Sequence, residues 1–563
     1  MASIVHKVVG GQTYYYLREM ARVGGKPKMI SQRYLGKASD IEAAMDGAMA
    51  VPERTRHLAF GDLAAVWSVL QRLGVAAIID DVVGARRSDA SASVGTYIAL
   101  ACANRVVKPC SKLAFADWWA GTAGDRWVRV PVAALDHRRF WDAMHAIDTD
   151  ALVEIERRLV AAMVAEFDLD LSGLVLDMTN FATYIDTGND RADIAQRGHA
   201  KQKRTDLRLV GLGLVVSTDG GIPICSHTYA GNKPDVTQFA QIVTELVHRW
   251  GNLAAVSDDL TLVYDAGQDS EANQAHIEAT ALHHIGSVPP SQFPDLLAVS
   301  ARRYSPVDAE RYPGLSAFDT RGVALGAERR LIVTHSANLH DKQTRGFAQT
   351  LAVARRRLAE LADRLARHKT RKSRAGVEAE IARILRPRWL NRVITVTLTG
   401  DDPSTFVLET AVDAKAIKAL ADELFGKRIL FTDHDDWAVV DVVAGYRSQS
   451  DVENDFRQMK DPHVVSFSPM FHWTDNNIRV HAFYCVLALT VARLMRREAL
   501  NAGMPMSVRE LLDTLAGIQE TVLLYPSTGG RPKARRMLSE TNPTQDRLSE
   551  LFGLAAYTPK QGA

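Results

Sequence analysis

Two short apolar runs, each closed by an aspartate, constrain this chain most: Leu174-Val175-Leu176-Asp177 and Thr261-Leu262-Val263-Tyr264-Asp265. Such runs read as buried strands, so each acid is expected to emerge at a strand end. Leu209 to Val216 reads as a further strand, Ser217 to Gly221 as a turn, and Ile222 to His227 as the return strand. Phe239, Ile242, Val243, Leu246 and Val247 have helical spacing; Ser270 to Thr280 reads as a helix and Ile285 to Val288 as another buried strand. Strand, hairpin, helix and strand in this order predict a mixed α/β sheet.

A third acid, Glu453, falls on a helical stretch running from Tyr446 to Lys460. Tyr446, Glu453 and Lys460 are seven residues apart, nearly two helical turns, which sets a phenol, a carboxylate and an ammonium on one face. Val452, Phe456 and Met459 form an adjoining apolar stripe suited to a sheet, and Asp461-Pro462 stops the helix. Two carboxylates at strand ends and one on a helix are able to hold two magnesium ions roughly 4 Å apart. Hard oxygen donors suit magnesium, with manganese as a substitute, whereas zinc usually recruits His or Cys. In such a site one ion activates a water or a sugar 3′-hydroxyl, and the other stabilises the departing oxygen. A single Asp on a surface loop, such as Asp186, Asp219, Asp258 or Asp259, is usually structural. The constellation carries the specificity.

The rest of the chain divides by pattern. At 563 residues it is too long for one core. Residues 1–40 read as a small basic β-meander, a candidate DNA contact or a solubilising hairpin; residues 41–170 read as a helical N-terminal domain, with Phe60, Leu63, Ala64, Trp67 and Leu70 as one amphipathic set. Residues 171–288 would form the first part of a catalytic core and 425–500 the second, with 289–424 as an insertion between them. Within it, Phe347, Leu351, Ala354, Leu358, Leu361 and Leu365 make the seam of a basic helical hairpin. The strand Arg330 to Thr334 is assigned to that insertion. Residues 501–563 read as a helical and basic tail, with Gly529 to Arg536 as a flexible basic segment.

Net charge is only +2, yet residues 1–40 carry +5 and residues 342–374 carry +9. These are the segments where a phosphate backbone could dock, and Arg355, Arg356 and Arg357 are favoured over a merely solvated face. Four scattered cysteines point to reduced thiols in the cytoplasm. The N-terminus lacks the apolar core of a signal peptide. The longest apolar run, Ala482 to Ala492, is too short to span a bilayer.

The spacing of Tyr446, Glu453 and Lys460 resembles the "YREK" signature of one branch of the DDE transposases of bacterial insertion sequences, with Gln449 in the Arg position. The resemblance extends over about residues 170–500. It takes in Leu176-Asp177-Met178-Thr179-Asn180, Gly198-His199, the hairpin from Leu212 to Tyr229-Ala230-Gly231-Asn232-Lys233-Pro234-Asp235, Asp265-Ala266-Gly267 with Ser270, and Phe471-His472-Trp473 through Phe483. It implies a ribonuclease-H-like core interrupted before the glutamate helix, and magnesium-dependent cleavage at transposon ends. It also implies strand transfer into target DNA, recognition of terminal inverted repeats, and a homodimer on double-stranded DNA in a bacterial, nucleoid-associated setting. By the same resemblance Asp177, Asp265 and Glu453 bind metal, while Tyr446 and Lys460 contact DNA near the scissile phosphate. Gln449 keeps hydrogen bonding but gives up bidentate phosphate pairing, with Arg447 or Arg457 as compensating cations. His199, His227 and Trp473 are left out of the catalytic set, as core or staple residues. Two alternatives share the sequence features: a metal-dependent nuclease that cuts without joining, and a non-catalytic DNA-binding descendant.

Overall fold

The computed structural model describes residues 2–49, 51–84, 90–186, 188–199, 206–250, 260–369, 371–525 and 533–560. Asp258, Asp259 and Gly529 to Pro532, named above, lie outside the described residues. The chain forms two compact units: Met1–Ser68 with Ala114–Ala133 and Arg509–Ala563, and Val69–Leu113 with Ala134–Val508.

The first unit opens with a three-stranded antiparallel sheet of Ala2–Val9, Gln12–Val23 and Lys26–Gly36. Its two hairpin turns are Gly10-Gly11 and Gly24-Gly25, all four at positive φ, the backbone that a tight hairpin requires and glycine adopts without strain. A second sheet pairs Arg54–Ala59 with Gln519–Tyr525, and that strand with Lys533–Leu538. This corrects two expectations. The stretch after residue 40 is not helical throughout, and Lys533 to Arg536 is an ordered strand because Gln519–Tyr525 supplies its ladder partner. Glu520, fully buried on the central strand, accepts from Arg126 and from Arg536, so this sheet folds around a neutralised carboxylate.

The second unit is built on a nine-stranded mixed sheet. Its spatial order is Ser305–Pro306, Leu315–Ala324, Ala327–Ser336, Lys427–Thr432, His283–Val288, Thr261–Val263, Gly173–Thr183, Arg208–Ser217 and Pro223–Ala230. Thr261–Val263 runs parallel to both of its neighbours, and every other pairing is antiparallel. The strand read at Arg330 to Thr334 therefore belongs to the main sheet, hydrogen-bonded to Lys427–Thr432. The inserted block is therefore confined to the stretch between Ser336 and Lys427. There, helices Ala337–Ala366, Arg374–Leu385 and Ala414–Leu424 and a two-stranded ribbon share a separate core with Phe347, Leu358, Leu361, Leu365, Val377 and Phe425.

The helix Asp475–Asn501 is capped by Thr474, whose hydroxyl accepts from the Asn477 N–H at 3.4 Å. It is long and apolar enough to cross a membrane, but 94% of its most apolar window is buried inside the fold, as a core helix is. The stretch from Tyr446 to Lys460 is two helices rather than one: Val439–Arg447 and Gln449–Met459. At the junction the Ser448 hydroxyl donates to the Gly445 carbonyl at 2.5 Å, a side-chain bond of the kind that interrupts or bends a helix.

Candidate active site

Sheet register brings the two aspartates together. Val175 pairs with Val263 in parallel, and the same offset carried two residues further aligns Asp177 with Asp265. Only Asp265 leaves a strand end. Asp177 lies within Gly173–Thr183, because pairing with Arg208–Ser217 continues from Asp177↔Leu214 to Thr183↔Arg208. Asp177 is half-buried and Asp265 exposed. Gln268, buried between them, accepts from the Asp265 N–H at 2.9 Å and donates to Asp177 Oδ1 at 3.4 Å. One amide thus links the Asp177 carboxylate to the backbone of Asp265.

The segment bearing Glu453 is tied to both of those positions. Before it, the Tyr446 hydroxyl donates to Asp265 Oδ1 at 2.9 Å, and Ser287 donates to the same oxygen at 3.2 Å. Burial, and then the charge of Asp265, hold the Tyr446 phenol well above its ordinary range, so it stays a donor at neutral pH. After it, Lys460 Nζ donates to Thr179 Oγ1 at 2.6 Å. Thr179 stands two residues beyond Asp177 on the same face of the strand. Val452, Phe456 and Met459 are buried where this helix packs on Gly173–Thr183. Glu453 itself is exposed and lines a cleft of about 270 Å³ with Tyr446, Gln449 and Arg428. The ligand oxygens of Asp177, Asp265 and Glu453 do not all lie within 4.8 Å of one another, so no single ion touches all three in this structure.

The donor set fits hard divalent cations: every candidate ligand is a carboxylate oxygen. A fourth acid strengthens that fit. Both carboxylate oxygens of Asp269 are buried without a hydrogen-bond partner, and burial, with the charge of Asp265, pushes its carboxyl up to about 8. Negative charge here exceeds what the protein's own donors satisfy. A folded pKa above the unfolded carboxylate value of about 3.9 means that the folded chain holds a proton the unfolded chain has lost. In magnesium-free buffer, stability is therefore expected to fall as pH rises from about 4 towards 8, and Asp269→Asn should flatten that fall. Urea unfolding of both proteins across this range checks it, and parallel profiles would exclude Asp269 as the cause.

A family model described as "Transposase DDE domain" matches residues 169–489. The chain belongs to that family. No curated protein matches. Among solved structures, the chain is similar to a cryo-EM structure of the piggyBac transposase synaptic complex with hairpin DNA, at 9% identity and a TM-score of 0.38, over 83% of this chain and 82% of that one.

The other residues picked from the sequence of this transposase-family chain are scattered. Gln449 lines the Glu453 cleft, and its side-chain Nε2 is buried without a partner. Arg447, exposed, also lines that cleft, with its guanidinium 4.6 Å from the Tyr312 ring centroid. Arg457 is exposed and donates to Asn454 Oδ1 at 2.9 Å. Arg355, Arg356 and Arg357 are exposed on Ala337–Ala366 and do not line the cleft. His227 bonds Glu245 at 3.0 Å, and Trp473 is 45% exposed with the Arg191 guanidinium over its ring. Sequence reasoning missed Gln268, Ser287, Asp269 and Arg428. Ser287 had a signal, as a lone hydroxyl in the apolar run Ile285 to Val288; Gln268 and Asp269 follow Asp265 closely but show no periodicity.

Proposed function

We propose that this protein is an insertion-sequence transposase that cuts DNA at the ends of its element and joins those ends to target DNA, using a ribonuclease-H-like core. The observation that carries the reading is the double tether of the glutamate segment. Seven residues before Glu453 the chain is bonded to Asp265, and seven residues after it to Thr179 beside Asp177. In this reading Asp177, Asp265 and Glu453 are the ligands of a two-ion magnesium site, with manganese able to substitute. Bound there, the ions would supply an activated oxygen nucleophile and neutralise the leaving oxygen.

The protein's own groups do the rest. Tyr446 and Ser287 orient Asp265, Gln268 links its backbone to the Asp177 carboxylate, and Lys460 sets a cation beside Asp177 where a phosphate would lie. Gln449 gives a neutral contact in the cleft, and Arg428, Arg447 and Arg457 supply positive charge around it. The N-terminal β-meander, the helical region before residue 170 and the block between Ser336 and Lys427 are read as DNA-contacting elements of a cytoplasmic protein that works as a homodimer on terminal inverted repeats.

The test is incubation with duplex element ends and a supercoiled target, with and without magnesium. Cut and joined products support the proposal. Cutting without joining would make the protein a nuclease, and binding without cutting a non-catalytic DNA-binding protein. Charge neutralisation of Arg355, Arg356 and Arg357 together should weaken DNA binding and lower the salt slope by up to about 0.9 for each phosphate no longer neutralised. An unchanged slope returns them to a solvated face.

A further inference from the structure

Register sorts the side chains of the N-terminal meander onto two faces. Residues directly opposite in an antiparallel pair share a face, and so do residues two apart on a regular strand. Lys7↔Tyr14, Tyr16↔Tyr34, Arg18↔Gln32, Met20↔Met29 and Arg22↔Pro27 therefore stand on one side of the sheet. The central strand, Gln12–Val23, runs unbroken through these pairs, because both irregularities of register place their extra residue on Lys26–Gly36. Side-chain contacts agree. The Tyr34 ring centroid is 5.3 Å from that of Tyr16 and 6.1 Å from that of Tyr14. Lys7 Nζ lies 5.8 Å from the Tyr16 ring, and Arg18 donates to Gln32 Oε1 at 3.3 Å.

This face thus carries three clustered phenol rings, with Lys7 beside them at one end and Arg18 and Arg22 beyond them at the other. No carboxylate stands among them. The single acid of the three strands, Glu19, is on the reverse face, where it accepts from the Ser31 hydroxyl at 2.8 Å. The face is also open: Tyr34 is 54% and Met29 48% exposed, and Lys7 and Arg22 are exposed. Its charge calls for an anion, and its rings call for a flat, apolar surface on the same ligand. A duplex offers phosphates but keeps its base faces stacked inside, which would leave Tyr34 and Met29 in water. An unpaired strand offers both, since every base has a face that stacks on an aromatic ring.

We propose that this face of the meander binds single-stranded DNA, with bases stacked on the cluster of Tyr14, Tyr16 and Tyr34 and phosphates held by Lys7, Arg18 and Arg22. The proposal rests on the transposase reading for the source of the strand, DNA unpaired around cut element ends. The binding itself uses none of the three acids.

The experiment titrates the full chain, in chelator, against a labelled 12-nucleotide oligothymidylate and a labelled 12-base-pair duplex of mixed sequence. Tyr34→Ala should weaken oligothymidylate binding about 5- to 150-fold, as the loss of one base–ring stack, with a smaller change for the duplex. Tyr34→Phe keeps the ring and should bind as the parent does. Lys7→Gln with Arg22→Gln should lower the salt slope for oligothymidylate by up to about 0.7 for each phosphate no longer neutralised. All three side chains are exposed, so these variants keep the fold, checked by melting temperature. Unchanged oligothymidylate affinity in Tyr34→Ala overturns the proposal, and so does an equal or larger loss for the duplex. A loss in Tyr34→Phe as large as in Tyr34→Ala assigns the contact to the hydroxyl and overturns it too, as does an unchanged salt slope. Cutting of duplex ends is assayed separately with magnesium. Cutting that persists without Tyr34-dependent strand binding defeats this inference alone; strand binding that depends on Tyr34 in a protein that never cuts defeats the catalytic reading alone.

Discussion

Replacing any one of Asp177, Asp265 or Glu453 by its amide should abolish DNA cleavage while leaving duplex binding nearly unchanged. Each amide keeps the size and hydrogen-bonding shape of the acid, so what is lost is one negative oxygen donor. Metal-ion stabilisation of phosphoryl transfer is worth several kcal/mol, and each 1.36 kcal/mol is tenfold in rate. Losing one ligand of such a site should thus cost on the order of a thousandfold or more. Duplex affinity rests chiefly on cations that meet the phosphate backbone, and removing a carboxylate does not weaken those. Cleavage of labelled element ends and a parallel binding titration separate the two effects. Cleavage persisting in one variant takes that residue out of the site; binding lost in step with cleavage would mean the substitution disturbed the fold.

Asp265→Asn carries an additional diagnostic. Its carboxylate accepts from both Tyr446 and Ser287, so Tyr446→Phe should mimic part of its effect by freeing Asp265 to rotate while leaving all three acids in place. Glu453 has no comparable hydrogen bond holding it among the described residues; its place depends on the two tethers at Tyr446 and Lys460.

What the sequence disclosed and what it hid follow from range. Asp265 after an apolar run, the hairpin after Ser217 and the apolar face of the helix carrying Glu453 are local periodicities, and each can be read residue by residue. Asp177 is misplaced relative to its strand end on sequence alone because the run Met178 to Thr183 mixes polar and apolar residues. Its pairing with Arg208–Ser217, a partner far along the chain, keeps it extended. The strand Ala327–Ser336 reads as part of the insertion for the same reason: only Lys427–Thr432, almost a hundred residues away, shows that it belongs to the central sheet. Lys533–Leu538 looks like a loose basic tail because its ladder partner and its buried counter-charge, Glu520, are not its immediate neighbours. Gln268 and Ser287 act through contacts to Asp177, Asp265 and Tyr446 that no spacing rule connects.

The helix that carries Glu453 is docked by a buried ion pair, and breaking it should unfold the site. Asp455, fully buried two residues after Glu453, is bonded to the guanidinium of Arg493 on Asp475–Asn501, and Arg493 Nη2 also reaches the Asp451 carbonyl at 3.4 Å. Burial draws the Asp455 carboxyl up to about 7 against the opposing pull of Arg493. Removing one member strands the other charge in a dry interior, at a cost of about 3–5 kcal/mol, a large share of the roughly 5–15 kcal/mol that holds a domain folded. Asp455→Leu or Arg493→Met alone should therefore lower the denaturation midpoint sharply and remove cleavage, because Glu453 loses its platform. Replacing both together leaves no stranded charge and substitutes packing for the pair, an exchange that is often neutral or stabilising. The double variant should recover most of the stability and with it the cleavage. A double-mutant cycle of urea midpoints measures this directly. Losses that simply add would show that the two side chains stabilise the fold independently and that the pair is not what docks the glutamate helix.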